Sequence, residues 1–192
     1  MNDVEKTLRK EICEAAHIMW LLGFAAGTSG NISAKLPDGN LLITPSGVSK
    51  RVLKPEMLIK TDTDGFPLES EGIPSVEIKL HIECYKNRKD INAVIHMHPP
   101  TATGFAAAGL SLQDCFLPEV ELFLGEISLA PYAPVGSSEI ALGIVPFIKG
   151  NNAVLLQNHG ALTVGGNIIE AQHNMEMLEN CAKIMLITRQ LK

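Results

Sequence analysis

The stretch Asn92-Ala93-Val94-Ile95-His96-Met97-His98 reads as a strand that ends in two histidines. Side chains alternate faces along a strand, so the imidazoles of His96 and His98 project to the same side, roughly 7 Å apart along the chain. Two such ligands can close on one ion with bonds of about 2 Å. Two hydrogen-bonded histidines at a strand end would give the same pattern, so the pair needs a third residue. His159 follows the apolar run Ala153-Val154-Leu155-Leu156-Gln157 and precedes Gly160, again a strand end beside a sharp turn. It reads either as a turn histidine bonded to backbone or as a third imidazole. Three neutral imidazoles with one open position make a catalytic zinc site, and all-nitrogen ligation also admits manganese, cobalt or iron.

Upstream of this strand, Pro74 and Ser75 predict the start of a helix that continues through Ile78, Ile82 and Tyr85. Glu77 then falls in the first turn, where the helix dipole favours a carboxylate. If that end faces the histidines, Glu77 becomes a general acid/base. His81, four residues on, shares the face of Glu77 and reads as a satisfied surface or core histidine, with a supporting role at the site as the alternative. His17 and His173 lie on predicted helices and read as structural.

Further out, Leu8, Ile12, Ala15, Ala16, Met19 and Leu22 recur at helical spacing and predict a helix over 4–24, stopped by Gly23 and Gly27. Strands are expected near 41–44 and 57–61, the second followed by an Asp62-Thr63-Asp64-Gly65 hairpin turn. After Pro100 comes a small-residue helix. A strand over 126–132, a helix over 137–149, strands over 153–157 and 161–164, and a last helix over 167–191 complete the chain. Helices and strands interleave throughout, which predicts an α/β fold with a sheet covered on both faces.

The chain has 192 residues, 46% apolar and 19% charged, which predicts one domain spanning 1–192 with a substantial core. Sixteen Lys and Arg against 21 Asp and Glu leave a net charge of −5, which argues against a nucleic-acid binder. No apolar run approaches the roughly 20 residues of a membrane span. The four cysteines show no disulfide spacing and the first residues are polar, so a reducing, cytoplasmic setting is expected. Two loops, Gly27-Thr28-Ser29-Gly30-Asn31 and Thr44-Pro45-Ser46-Gly47, have the glycine and hydroxyl content of anion cradles, with Ser75 at a helix start as a third piece.

In order and spacing, the motifs GTSGNIS, ITPSGV, PSVE, AVIHMHP, APYAPVGSSE and LLQNHGAL resemble those of the class II aldolase and adducin head-domain family, most closely its fuculose 1-phosphate aldolase branch. The resemblance implies a three-layer α/β/α sandwich with a central, largely antiparallel sheet, assembled as a homotetramer with active sites at subunit boundaries. It implies zinc on His96, His98 and His159, and Glu77 as the acid/base group, able to occupy the metal at rest. It puts a phosphate site on Gly30, Asn31, Ser46, Gly47 and Ser75. The implied reaction is cleavage of a ketose 1-phosphate to dihydroxyacetone phosphate and a short aldehyde. Two alternatives accompany it: a methylthioribulose 1-phosphate dehydratase using Glu119, and an adducin-like interaction module without chemistry. The family pattern has a second serine where this chain has Val76, which removes one phosphate donor.

Overall fold

The computed structural model describes residues 2–68, 72–115 and 117–191. Helix α1 (Asp3–Leu21) is capped by Asn2, whose side chain accepts from the Glu5 amide, and it buries Ile12, Ala15, Ala16 and Met19. It stops three residues short of the expected end. Strands β1 (Asn31–Lys35), β2 (Leu41–Ile43) and β3 (Ile59–Thr61) follow. The periodicity did not reveal β1, because its five residues continue directly from a glycine-rich loop. β3 starts later than expected because Pro55–Met57 forms a 3-10 turn. The turn at 62–65 is as expected, with the Gly65 amide donating to the Asp62 carbonyl and an isolated bridge between Thr61 and Pro67.

Next come α2 (Ile78–Asn87), β4 (Ala93–Met97), α3 (Pro100–Ala107), α4 (Pro118–Phe123) and β5 (Ser128–Ala130). The single helix expected over 137–149 is two, α5 (Ser138–Gly143) and α6 (Val145–Ile148). Pro146 explains the break, since its ring lacks an amide hydrogen and is accommodated only in a helix's first turn. The chain ends with β6 (Ala153–Leu156), β7 (Gly160–Gly165) and α7 (Ile168–Gln190).

Among the described residues seven strands form one sheet in the order β3-β2-β1-β4-β7-β6-β5. Every neighbouring pair is antiparallel except β5 and β6, whose parallel pairing is made possible by the helical crossover through α5 and α6. Strand alternation sends Ile32, Ala34, Ala93, Ile95 and Met97 into a core with α1, α3, α4 and α7. Val94, Val154, Leu156, Leu162 and Val164 face the other way, into a core with α2, α5 and α6. The expected α/β/α layering and largely antiparallel sheet are therefore present. Asn31 and Ser33, offset by one from Ile32 and Ala34, turn toward α2, as does His96.

None of the described helices is long and apolar enough to cross a membrane. Cys115 and Cys181 are joined as a disulfide, 66 residues apart in sequence, while Cys13 and Cys84 are free and buried. Sequence spacing does not encode this proximity, which arises because the fold lays Cys115, ahead of α4, against α7.

Candidate metal centre

His96 lies on the fully buried strand β4, and His98 sits one residue past its end, where its amide donates to the Phe24 carbonyl. His159 lies in the short turn joining β6 to β7. That turn places Asn158 in the left-handed region, φ 57°, which asparagine tolerates better than most residues. Gly160 then lets β7 start against β4: a Cβ there would stand 2.5 Å from Cδ2 of His98 and 2.6 Å from the Met97 carbonyl oxygen. Gly30, at φ +75°, does the same across the other neighbour of β4, where a Cβ would meet Sδ of Met97 and the His96 carbonyl. The two glycines bracket the histidine strand.

The structure brings the three histidines together, with one potential ligand atom from each lying within 4.8 Å of the others. His96 donates from Nδ1 to the Ala161 carbonyl at 2.9 Å, which leaves Nε2 bare and turned into the cluster. Nε2 of His98 is 3.3 Å from Nε2 of His96. Bonds of about 2.0–2.1 Å to one tetrahedral ion would separate two nitrogens by roughly 3.3–3.4 Å, so this spacing fits a shared metal. Burial pushes His98 and His159 down to about 4, so both rings keep a lone pair for a cation at neutral pH. The donor set therefore fits a divalent metal.

Glu77 closes the site. It is 7% exposed, with Oε2 3.4 Å from Nε2 of His96 and Oε1 3.2 Å from Nε2 of His159. Oε2 accepts from Nδ2 of Asn31 at 2.8 Å, while Oε1 is buried without a hydrogen-bond partner among the described residues. Burial opposes ionisation of this carboxyl, but His96, His159 and the Asn31 hydrogen bond outweigh it and hold it below its ordinary range. The expected place of Glu77 in a first helical turn is corrected: it is the residue before α2, with φ −96° and ψ 14°. Pro74 is drawn into a bridge with Pro45, and the Ser75 amide donates to the Thr44 carbonyl, so the backbone turns helical only after Glu77.

That bridge also joins two of the expected anion-binding pieces. The Ser46 amide donates to the Ile73 carbonyl, and the Ser75 hydroxyl accepts from the Glu77 amide at 3.3 Å. Lys50, 1% exposed, ties in the third by donating to the carbonyls of Thr28, at 2.9 Å, and Val48, at 3.2 Å. Burial lowers its ammonium pKa to about 8. Ser46 and Gly47 are exposed, Gly30 and Ser75 are buried, and Val76 is 60% exposed between Ser75 and Glu77. The Asn31 side chain is committed to Glu77 and His81.

His81 is fully buried, and the sequence offered a visible hint of its neighbours: Glu77, His81 and Tyr85 recur every four residues on one helix face, and Asn31 and Ser33 alternate onto one strand face. Lys50 has no such signature. His17 bonds the Leu53 carbonyl and His173 is exposed, as expected of structural histidines. Glu119 stands exposed in the first turn of α4, with no ion pair to the histidines among the described residues.

Over residues 10–186 the sequence matches the family described as Class II Aldolase and Adducin N-terminal domain. It is 37% identical over 188 residues to the 3-oxo-tetronate 4-phosphate decarboxylase of Escherichia coli strain K12, covering 96% of this chain and 88% of that protein. It is 33% identical over 183 residues to an L-fuculose phosphate aldolase of Methanococcus maripaludis, covering 95% of this chain and 98% of the other. The crystal structure of YgbL from Escherichia coli superposes with a TM-score of 0.91 at 36% identity, covering 96% of this chain and 91% of that one.

Proposed function

The chain belongs to the Class II Aldolase and Adducin N-terminal domain family and is an enzyme of it, and from that premise we propose that it is a carbon–carbon lyase releasing dihydroxyacetone phosphate from a phosphorylated sugar derivative. An interaction module without chemistry is set aside, since the matched relatives are named aldolases and decarboxylases. The observation that carries the reading is the Glu77 carboxylate, with one oxygen anchored by Asn31 and the other left without a hydrogen bond beside His159.

In the retro-aldol reading the substrate is a ketose 1-phosphate of the fuculose type. The bond between C3 and C4 breaks, the C4 hydroxyl loses its proton to become a short aldehyde, and the electron pair stays on the C2–C3 unit. A divalent cation on His96, His98 and His159, zinc in our reading, supplies Lewis acidity that stabilises the developing negative charge. Glu77, ionised at rest, takes the C4 hydroxyl proton onto Oε1 and delivers it to C3, which completes dihydroxyacetone phosphate. Asn31 keeps the other oxygen fixed while this happens.

A second reading is favoured by the 37% identity to the decarboxylase. In 3-oxo-tetronate 4-phosphate the bond between C1 and C2 would break, carbon dioxide would leave with no hydroxyl to deprotonate, and Glu77, ionised at rest, would pass a proton taken up from solvent to C2. The product is again dihydroxyacetone phosphate, so one site serves both leaving groups.

The phosphate is assigned to the backbone of Gly30, Asn31 and Gly47 and the hydroxyls of Ser46 and Ser75. Support comes from the bridge between Pro45 and Pro74 and from Lys50, which together gather the three segments. A single domain over 1–192 in a homotetramer completes the proposal. Leu122 and Phe123 on α4 and Ile187 and Leu191 at the end of α7 are exposed apolar side chains that subunit contacts would cover. A cytoplasmic location follows from phosphorylated substrates, which cells retain.

The test is incubation of the metal-loaded protein with each substrate, following dihydroxyacetone phosphate through a coupled reductase and quantifying aldehyde and carbon dioxide. Aldehyde identifies the aldolase and carbon dioxide the decarboxylase. No dihydroxyacetone phosphate from either compound would overturn the proposal.

A further inference from the structure

Behind Glu77 a chain of hydrogen bonds crosses from α2 to β1 and back. Tyr85 Oη lies 2.8 Å from Ser33 Oγ, Ser33 Oγ lies 2.7 Å from His81 Nδ1, His81 Nε2 lies 2.5 Å from Asn31 Oδ1, and Asn31 Nδ2 donates to Glu77 Oε2 at 2.8 Å. All five side chains belong to buried residues. The inventory of donors and acceptors assigns every proton. An ionised carboxylate only accepts, so the Asn31 amide presents its NH2 to Glu77 and its carbonyl oxygen to His81. The ring must then carry its hydrogen on Nε2. Burial keeps His81 neutral, with its pKa pushed down from 6.5 to about 3, so Nδ1 is bare and accepts from the Ser33 hydroxyl. Ser33 has spent its one hydrogen, so it accepts from Tyr85. Every donor in the chain points toward Glu77.

We propose that His81 is a positioning residue: by donating from Nε2 to Asn31 it fixes which way the amide faces, and through the amide it presents Oε1 of Glu77 to the histidine cluster. The inference rests on the reading of Glu77 as the proton carrier. An imidazole suits the task because Asn31 and Ser33 stand two strand residues apart, roughly 7 Å, and a ring with a nitrogen on each side reaches both at once. With the amide turned over, its oxygen would face the carboxylate oxygen and its NH2 would face the Nε2 hydrogen. Both junctions would repel, so the ring's tautomer and the amide's orientation hold one another in place.

The first measurement needs no variant: nitrogen-15 spectra of the histidine-labelled, metal-loaded protein should show the His81 ring as a single neutral tautomer protonated on Nε2. A ring protonated on Nδ1, or a mixture, would reverse the chain and overturn the proposal. The second is a double-mutant cycle on His81→Phe and Asn31→Leu, read as solvent deuterium exchange into saturating dihydroxyacetone phosphate, with metal content measured alongside. His81→Phe should keep its metal and its KM while the exchange rate falls by about tenfold or more, as expected for a misplaced reacting group. On an Asn31→Leu background the same change should matter less than about twofold, because the residue through which it acts is gone. His81→Gln, which keeps one donor and one acceptor, should recover most of the rate. Effects that multiply independently would mean that His81 only packs, and the proposal falls. Full exchange in Glu77→Gln, with the tautomer as predicted, would instead overturn the proton-carrier reading on which it rests.

Discussion

Oε1 of Glu77 stands 3.2 Å from Nε2 of His159 and has no hydrogen bond among the described residues, although Oε2 of the same carboxylate is held by Asn31. A buried carboxylate oxygen without a donor costs stability, of the order of 1–3 kcal/mol for an unsatisfied polar group. Its retention beside the imidazole of His159 is what a metal ion or a transferable proton would relieve.

Replacing Glu77 by Gln preserves shape and removes the proton carrier. Turnover should fall by about 10² to 10⁴-fold, the usual worth of general acid/base catalysis, with metal content unchanged. Deuterium exchange into dihydroxyacetone phosphate reads this without knowledge of the aldehyde partner; undiminished exchange would remove Glu77 from the mechanism.

His98→Ala should strip metal and activity together, since two imidazoles do not hold a cation as three do. Elemental analysis after dialysis checks it. Wild-type metal content in this variant would place the ion elsewhere.

At Gly160 a single methyl group should suffice to disturb the site. The Cβ of Gly160→Ala would stand 2.5 Å from the His98 ring and 2.6 Å from a backbone oxygen, and backbone cannot swing aside as a flexible side chain can. The expected cost is about 1–3 kcal/mol in stability, together with weaker metal binding, measured by urea unfolding and metal titration. A variant equal to wild type in both would show that β7 can retreat from β4.

Acid should destabilise the fold through His81. Its pKa is depressed in the folded state to about 3, so below pH 6.5 the unfolded chain binds a proton that the folded chain refuses. Stability therefore falls as pH drops from 6.5 toward 3, by about 2 kcal/mol between pH 7 and pH 5. His98 and His159 add their own dependence in the metal-free protein, so the comparison must be with His81→Phe, which should lose about 2 kcal/mol less over the same interval. Equal losses in the two proteins would show that His81 is not the group responsible.

Val76→Ser should lower the KM for a phosphorylated ketose by about ten- to a hundredfold, because a hydrogen bond to a charged group contributes roughly 1.5 to 3 kcal/mol. Val76 is 60% exposed and follows Ser75, so a hydroxyl there meets no packing obstacle. An unchanged KM would mean that the phosphate lies away from this turn.

Local patterns carry much of this protein's architecture. Alternation along 92–98 put His96 and His98 on one side of a strand, turn residues located the hairpin at 62–65, and ordered motifs indicated the family. Such features depend on neighbours a few residues away, and backbone geometry turns them directly into placement. Long-range contacts settled the rest. The bridge between Pro45 and Pro74 delays α2 until after Glu77, and Pro146 divides a helix whose periodicity looked continuous. β1 became a strand through pairing with both β2 and β4, the second of which supplies His96. Above all, Asn31 reads from sequence only as a backbone piece of an anion loop, while its side chain spends both ends on Glu77 and His81, residues 46 and 50 positions away. Which partner a buried amide satisfies is set by what the fold packs against it, because desolvation makes an unmet hydrogen bond more costly than any local preference, and that partner is chosen only when the sheet and α2 come together.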